Sequence, residues 1–150
     1  MTEDRDALLQ HYHAMRRELM TAVEGLSDDA MVETTIDGWS VKDHLAHLAL
    51  WTDARAAEVA RISAGHESAF RLTPEQEAAF SAIAYEARRD LSITQARWEL
   101  ETARGRLLDA ITNATPRGLD PSLYGEAGLR SSHEAQHAAW IRRWRAERGI

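Results

Sequence analysis

The stretch "SSHEAQHAAW", residues 131–140, carries two histidines four positions apart. On an α-helix, residues at that spacing have Cβ atoms about 5–6 Å from each other. Two such imidazoles are placed to chelate one divalent ion. Read literally, His133-Glu134-Ala135-Gln136-His137 is H-E-x-x-H, the zinc-peptidase pattern, in which the glutamate activates a metal-bound water. The rest of the sequence argues against that chemistry. A helix advances about 100° per residue, so Glu134 leaves the histidine face and is expected at the surface. Beyond His137 there is no further His or Asp, and Glu147 is the single acidic residue. The chain also offers no strand on which an extended peptide would lie.

His133, His137, Trp140 and Trp144 fall within roughly a 60° arc, with Leu129 beside them and Arg142 opposite. Both histidines therefore lie on an apolar face. An isolated pair of this kind is most simply a pair of core histidines satisfied by backbone or a carboxylate. A third ligand from another helix turns it into a metal site. The second candidate stretch, "DGWSVKDHLAHLALW", supplies His44 and His47. His44 sits near the centre of the Val41/Leu45/Leu48 stripe and His47 at its edge. A central position suits a core residue and an edge position suits a ligand, and spacing alone leaves both open. Asp43 either closes a capping box with Ser40 or orients an imidazole. Trp39, Trp51, Trp98 and Trp140 are candidates for core or pocket wall. His11, His13 and His66 are expected to be exposed. No phosphate-cradling glycine loop and no serine-nucleophile motif is present.

The elements that must position these groups read as helices. The sequence has 150 residues with three prolines and no sustained period-2 alternation, and it is most simply one domain. Helical spacing of Leu8, Leu9, Tyr12, Met15, Leu19 and Val23 predicts a first helix over about residues 2–25. Ser40 and Gly65 bracket a second. Thr73-Pro74 opens a shorter helix. Ser92-x-x-Gln95 starts a third long helix reaching about residue 113. A proline- and glycine-rich loop follows, and a last helix is predicted over about residues 129–147. The expected fold is all-α: a four-helix bundle with a short extra helix before the third long one.

Composition narrows the function further. There is no cysteine, which removes disulfides, thiolate ligands and a cysteine nucleophile. A formal net charge of -6 disfavours nucleic acid as a partner. The basic run "IRRWRAER" suits the negative end of a helix dipole, and a solvated helix end is expected there. No apolar run is long enough to span a bilayer, so neither membrane insertion nor a signal peptide is expected and the cytoplasm is the default location.

Together, "GWSVKDHLAHLALW" and "SHEAQHAAWIRRWR" resemble the motifs of the DinB-like four-helix bundles, bacterial proteins named for damage inducibility. The resemblance covers essentially the whole chain. It implies a divalent metal, zinc or nickel, held by His47, His133 and His137. The position of His44 is usually aliphatic in that family, so His44 departs from the pattern, as a core residue or as one that tunes the metal. The family includes thiol-dependent transferases and isomerases that use low-molecular-weight thiols. The layout of "RRDLSITQARWELETARGRLLDAI", loop and last helix is similar to the ClbS/DfsB-type bundles, whose namesake hydrolyses an electrophilic genotoxin and need not use a metal. The resemblance thus implies a small-molecule electrophile as substrate. A homodimer is expected because bundles of this size commonly bury a helix face against a second copy.

Overall fold

The structure is a computed structural model in which residues 1–35 and 37–150 are described. Four long helices form the bundle: α1 (Arg5–Val23), α3 (Val41–Ser63), α5 (Ile93–Thr112) and α6 (His133–Arg148). Two shorter ones complete the set, the single-turn α2 (Asp28–Met31) and α4 (Pro74–Arg88). Three helix starts carry reciprocal capping boxes: Ser40 with Asp43, Thr73 with Gln76, and Ser92 with Gln95. In each, the hydroxyl accepts the third backbone N–H while the longer side chain accepts the cap's own N–H, so two otherwise unpaired donors are satisfied at once. No helix of the described residues is long and apolar enough to cross a membrane.

Contacts between helices give their relative directions. Asp53 meets Arg106 and Ser63 meets Thr115, so α3 and α5 are parallel. Arg142 donates to the carbonyl of Glu18 and Arg145 to that of Ala22, so α1 and α6 are parallel as well. His13 meets Arg104 and Arg5 meets Ile111, which makes α1 antiparallel to α5. A parallel α3–α5 pair needs a connection that returns along the bundle, since the 23-residue α3 is about 34 Å long. Helix α4 is that return. It runs antiparallel to α3, with Phe80 against Trp51 and Tyr85 stacked on Trp39. It buries none of its own residues.

The interior is divided into two apolar clusters. One gathers Leu19, Leu45, Leu48, Leu100, Ile141 and Trp144; the other gathers Leu8, Val59, Ile62, Leu107, Ile111 and Leu129. Between them each long helix presents polar groups at the same level: Tyr12 and Arg16 from α1, Thr52 and Arg55 from α3, Glu101 from α5, His133 and Glu134 from α6. Arg16 is buried and pairs with both Glu134 and Glu101.

The fold corrects several expectations from the sequence. The last helix begins at His133, not Leu129, because the carbonyls just before it bind side chains instead of helical N–H groups. Gly128 O accepts from Arg55, Leu129 O from Tyr12, and Ser131 O contacts His11 Nε2. That last contact also leaves His11 half-buried instead of exposed. Trp98 is 65% exposed, since the buried line of α5 runs through Ala96, Leu100, Ala103 and Leu107 and Trp98 falls on the opposite side. The basic run at the end of α6 is more than solvated: Arg145 donates to the terminal carbonyls of α1 at Ala22 and Glu24, and Arg148 pairs with Glu33.

Leu45 is fully buried in the cluster beneath the histidines. Leu45→Ala is expected to lower the free energy of unfolding by about 2–5 kcal/mol, read as a shifted denaturation midpoint. A change below about 1 kcal/mol is outside that class of site.

Candidate metal centre

Helix α3 brings His44 and His47 to α6, where His133 and His137 face them. The Nε2 atoms of His47 and His133 are 3.2 Å apart, and so are those of His133 and His137. One ligand atom from each of His47, His133 and His137 lies within 4.8 Å of the others. The structure thus brings together the three histidines that the resemblance implies as ligands. The spacing suits the donor set of a tetrahedral site: zinc–nitrogen bonds of 2.0–2.1 Å place neighbouring ligand nitrogens about 3.3 Å apart.

His44 does not join that cluster through its own lone pairs. Its ring is fully buried, with Nδ1 2.6 Å from Nδ1 of His137 and Nε2 3.2 Å from a carboxylate oxygen of Asp37. These contacts determine the tautomers. A bare Nε2 lone pair on His44 would face the Asp37 carboxylate and be repelled, so His44 carries its proton on Nε2 and donates it to Asp37. Its Nδ1 is then an acceptor, and His137 donates from Nδ1. That leaves Nε2 of His137 without a proton and directed at His133. Asp37 thus acts through two rings to present a lone pair to the cluster, the arrangement that orients metal-bound histidines generally. The departure of His44 from the usual aliphatic residue is a buttress for His137.

Asp43 plays no part in this chain. Its carboxylate accepts from the backbone N–H of Ser40 at 3.0 Å, as the capping box requires. The carboxylate that orients an imidazole is Asp37, which sequence reasoning missed because it lies in the connection before α3, where no periodicity marks it. Thr35 and the backbone N–H of Trp39 hold it in place. Burial would raise its pKa, but those hydrogen bonds and His44 bring it below the ordinary value.

Glu134 is not the surface residue that the helical count suggests. Its side chain is only 12% exposed and accepts two hydrogen bonds from Arg16. The buried guanidinium requires a counter-charge, and Glu134 supplies it. Its carboxylate is therefore engaged by Arg16 of α1, which removes the free general base that a peptidase would need.

The aromatic residues divide between two sides. Trp39 packs against His47 and His44, with ring centroids 5.0 and 5.6 Å away. Trp51 is buried against Phe80 and faces His133. Trp140 packs on His137 at 4.7 Å, yet it is half-exposed and lines a separate cavity with Thr35, Asp37 and Arg143. Of the four tryptophans expected as core or pocket wall, Trp51 alone borders the cavity that reaches both His47 and His133. That cavity, about 260 Å³, is bounded by His47, Trp51, Arg55, His133 and Gln136, with Glu77 and Glu126 among its exposed lining residues. Arg55 is the second residue that sequence reasoning missed; its signal was the four-residue repeat His47, Trp51, Arg55 along α3.

Burial is the largest influence on all four imidazoles and disfavours their protonation. His47 is held down to about 4, His133 to about 3 and His137 to about 2, and the neighbouring imidazoles act in the same direction. His44 is also lowered, although Asp37 opposes the shift. The lone pairs are thus free of protons at neutral pH. An unfolded histidine binds a proton near 6.5, so below that pH the unfolded chain takes up more protons than the folded one. Stability must fall as the pH drops from about 6.5 toward about 3. Thermal melts of metal-free protein should show the midpoint decreasing steadily from pH 7 to pH 4, and His133→Gln should flatten the slope. Equal slopes for the two proteins would contradict the neutral cluster.

Comparison with known proteins agrees with this architecture. The sequence pattern of the DinB superfamily matches residues 11–141. No curated protein sequence matches the chain. An uncharacterised protein from Escherichia coli UTI89 superposes with a TM-score of 0.80 at 18% identity, over 97% of this chain and 95% of the other. The structure of Sibling Lethal Factor Precursor - DfsB superposes with a TM-score of 0.75 at 17% identity, over 99% and 98%. At such identities the two structures share the fold, while the pattern match extends over nearly all of the sequence. The chain belongs to the DinB superfamily.

Proposed function

We propose that this protein binds one divalent metal ion, zinc or nickel, through His47, His133 and His137, and acts on a small electrophilic molecule as a hydrolase or thiol-dependent transferase. The observation that carries the reading is the convergence of three Nε2 atoms at the inner end of a cavity of about 260 Å³. One shared proton could bridge only one of the two 3.2 Å nitrogen pairs at a time, whereas a cation satisfies all three lone pairs. A divalent ion in such a site supplies Lewis acidity toward a water, a thiol or a substrate oxygen.

The chain's own residues contribute the rest. Asp37 and His44 fix the proton of His137 on Nδ1. Trp39 and Trp51 restrict the two imidazoles that face the cavity and limit water on their apolar sides. Arg55 places a positive charge beside His133, which helps keep that ring neutral.

A second reading is favoured by the fold likeness to DfsB: a metal-independent hydrolase, or a protein that sequesters a reactive molecule, using the same cavity. A chelator separates the two, because turnover of an electrophilic probe survives it only in the metal-independent case.

Protein purified without a histidine tag is expected to contain about one zinc or nickel ion per chain by elemental analysis. His47→Ala and His133→Ala should each abolish that content and the gain in melting temperature on metal addition. His44→Phe should retain the fold and weaken metal affinity about 10–100-fold, as loss of an outer hydrogen-bond partner does. Absence of metal uptake at neutral pH, or unchanged content in His47→Ala, overturns the metal reading.

A further inference from the structure

His47, Trp51 and Arg55 recur every four residues of α3 and so share one face of it. The cluster's ligand residue, an aromatic ring and a guanidinium thus lie in sequence along the cavity wall. Arg55 is only 5% exposed. Its Nε–H donates to the carbonyl of Gly128 at 2.8 Å, and among the described residues its two terminal nitrogens form no hydrogen bond or ion pair. Glu134, whose charge reaches it, is engaged by Arg16. Tyr12, also nearby, donates to Leu129 O and accepts from the N–H of Ser131. These nitrogens are not sealed in the interior but open to the cavities that Arg55 lines, so a counter-charge there would meet a cation that is otherwise poorly solvated. A guanidinium offers paired N–H groups that match a planar carboxylate at two points.

We infer that the cavity takes a small-molecule carboxylate, with Arg55 as the residue that holds it and the three-histidine cluster at the reacting end. The assignment rests on the proposed metal centre for which end reacts. Arg55 lies eight residues beyond His47, about 12 Å along the helix axis between their backbones, so the two side chains bracket a small molecule between them. The ring of Trp51 covers the carbons between. The exposed Glu77 and Glu126 carboxylates in the same lining oppose an anion, so the guanidinium must outweigh them and removing one of them should strengthen binding. The carboxylate belongs either to the electrophile or to a thiol co-substrate.

Calorimetric and NMR titrations, following the arginine Nε–H signals, test the assignment with propionate, its neutral counterpart propionamide, and 3-mercaptopropionate. They are run on the protein as purified and after metal removal. Propionate should bind both forms, and propionamide about tenfold more weakly or worse. Arg55→Gln, whose carboxamide can still donate to Gly128 O, should weaken propionate about tenfold. Glu126→Gln should tighten it severalfold, and this variant decides the matter if Arg55→Gln does not fold. Tighter binding of 3-mercaptopropionate than of propionate, confined to metal-loaded protein, identifies a thiol co-substrate as the source; equal binding identifies the electrophile. Equal affinity for propionate and propionamide overturns the inference, as does propionate binding indifferent to both substitutions. The two readings fail separately. Arg55-dependent binding that persists in His47→Ala upholds the carboxylate subsite without the metal, and metal binding beside Arg55-independent carboxylate binding removes the subsite alone.

Discussion

Four imidazoles packed into the interior of one helical bundle cannot all be charged, and this constraint governs the centre of the molecule. Burial lowers the proton affinity of each ring, and every neutral neighbour that gains a charge would lower the others further. The rings must therefore arrange single protons among six closely placed nitrogens. Asp37 determines the outcome at one end by requiring a donor from His44, and the choice passes through His137 to the cluster. The anchor of a buried site thus lies at its surface, on a carboxylate outside the helices it organises.

The same level of the bundle carries a second set of buried charges. Arg16 joins α1 to α6 through Glu134 and to α5 through Glu101. Burying such pairs adds little stability over an apolar core, but breaking one is expensive because a charge is left without its partner. Their value here is positional. Two apolar clusters above and below would tolerate sliding of one helix along another, whereas a guanidinium that must meet two carboxylates from two helices fixes their register. The histidines of α3 and α6 depend on that register, since a shift of one helical turn would separate the 3.2 Å nitrogen contacts.

Much of this was legible in the sequence. Capping residues at Ser40, Thr73 and Ser92 and the apolar spacing of α1 and α3 gave the helices and their inner faces. Central placement of His44 and edge placement of His47 on α3 correspond to a fully buried ring and one at a cavity. What remained hidden depends on contacts between distant segments. Periodicity describes a helix in isolation, so it could not show that Arg16 would bury and draw Glu134 inward, or that Tyr12 and Arg55 would take the carbonyls before His133 and delay the last helix. Nor could it distinguish Asp37 from any other loop aspartate, because its role depends on His44 meeting His137, which lies at the far end of the sequence. Trp98 shows the converse: a large apolar side chain was expected inside, but its position on α5 faces away from the core.

The crossover helix α4 is held differently from the four it accompanies. It buries no side chain of its own and rests on α3 through a few aromatic contacts, including Tyr85 on Trp39 and Phe80 on Trp51. It also forms part of the cavity wall through Glu77 and Ser81. Sequence change in α4 is therefore nearly uncoupled from the stability of the bundle while acting directly on what enters it. The histidine cluster and its supporting charges are bound into the packing of the bundle, whereas α4 is where a new choice of substrate can be tried with least danger to the fold.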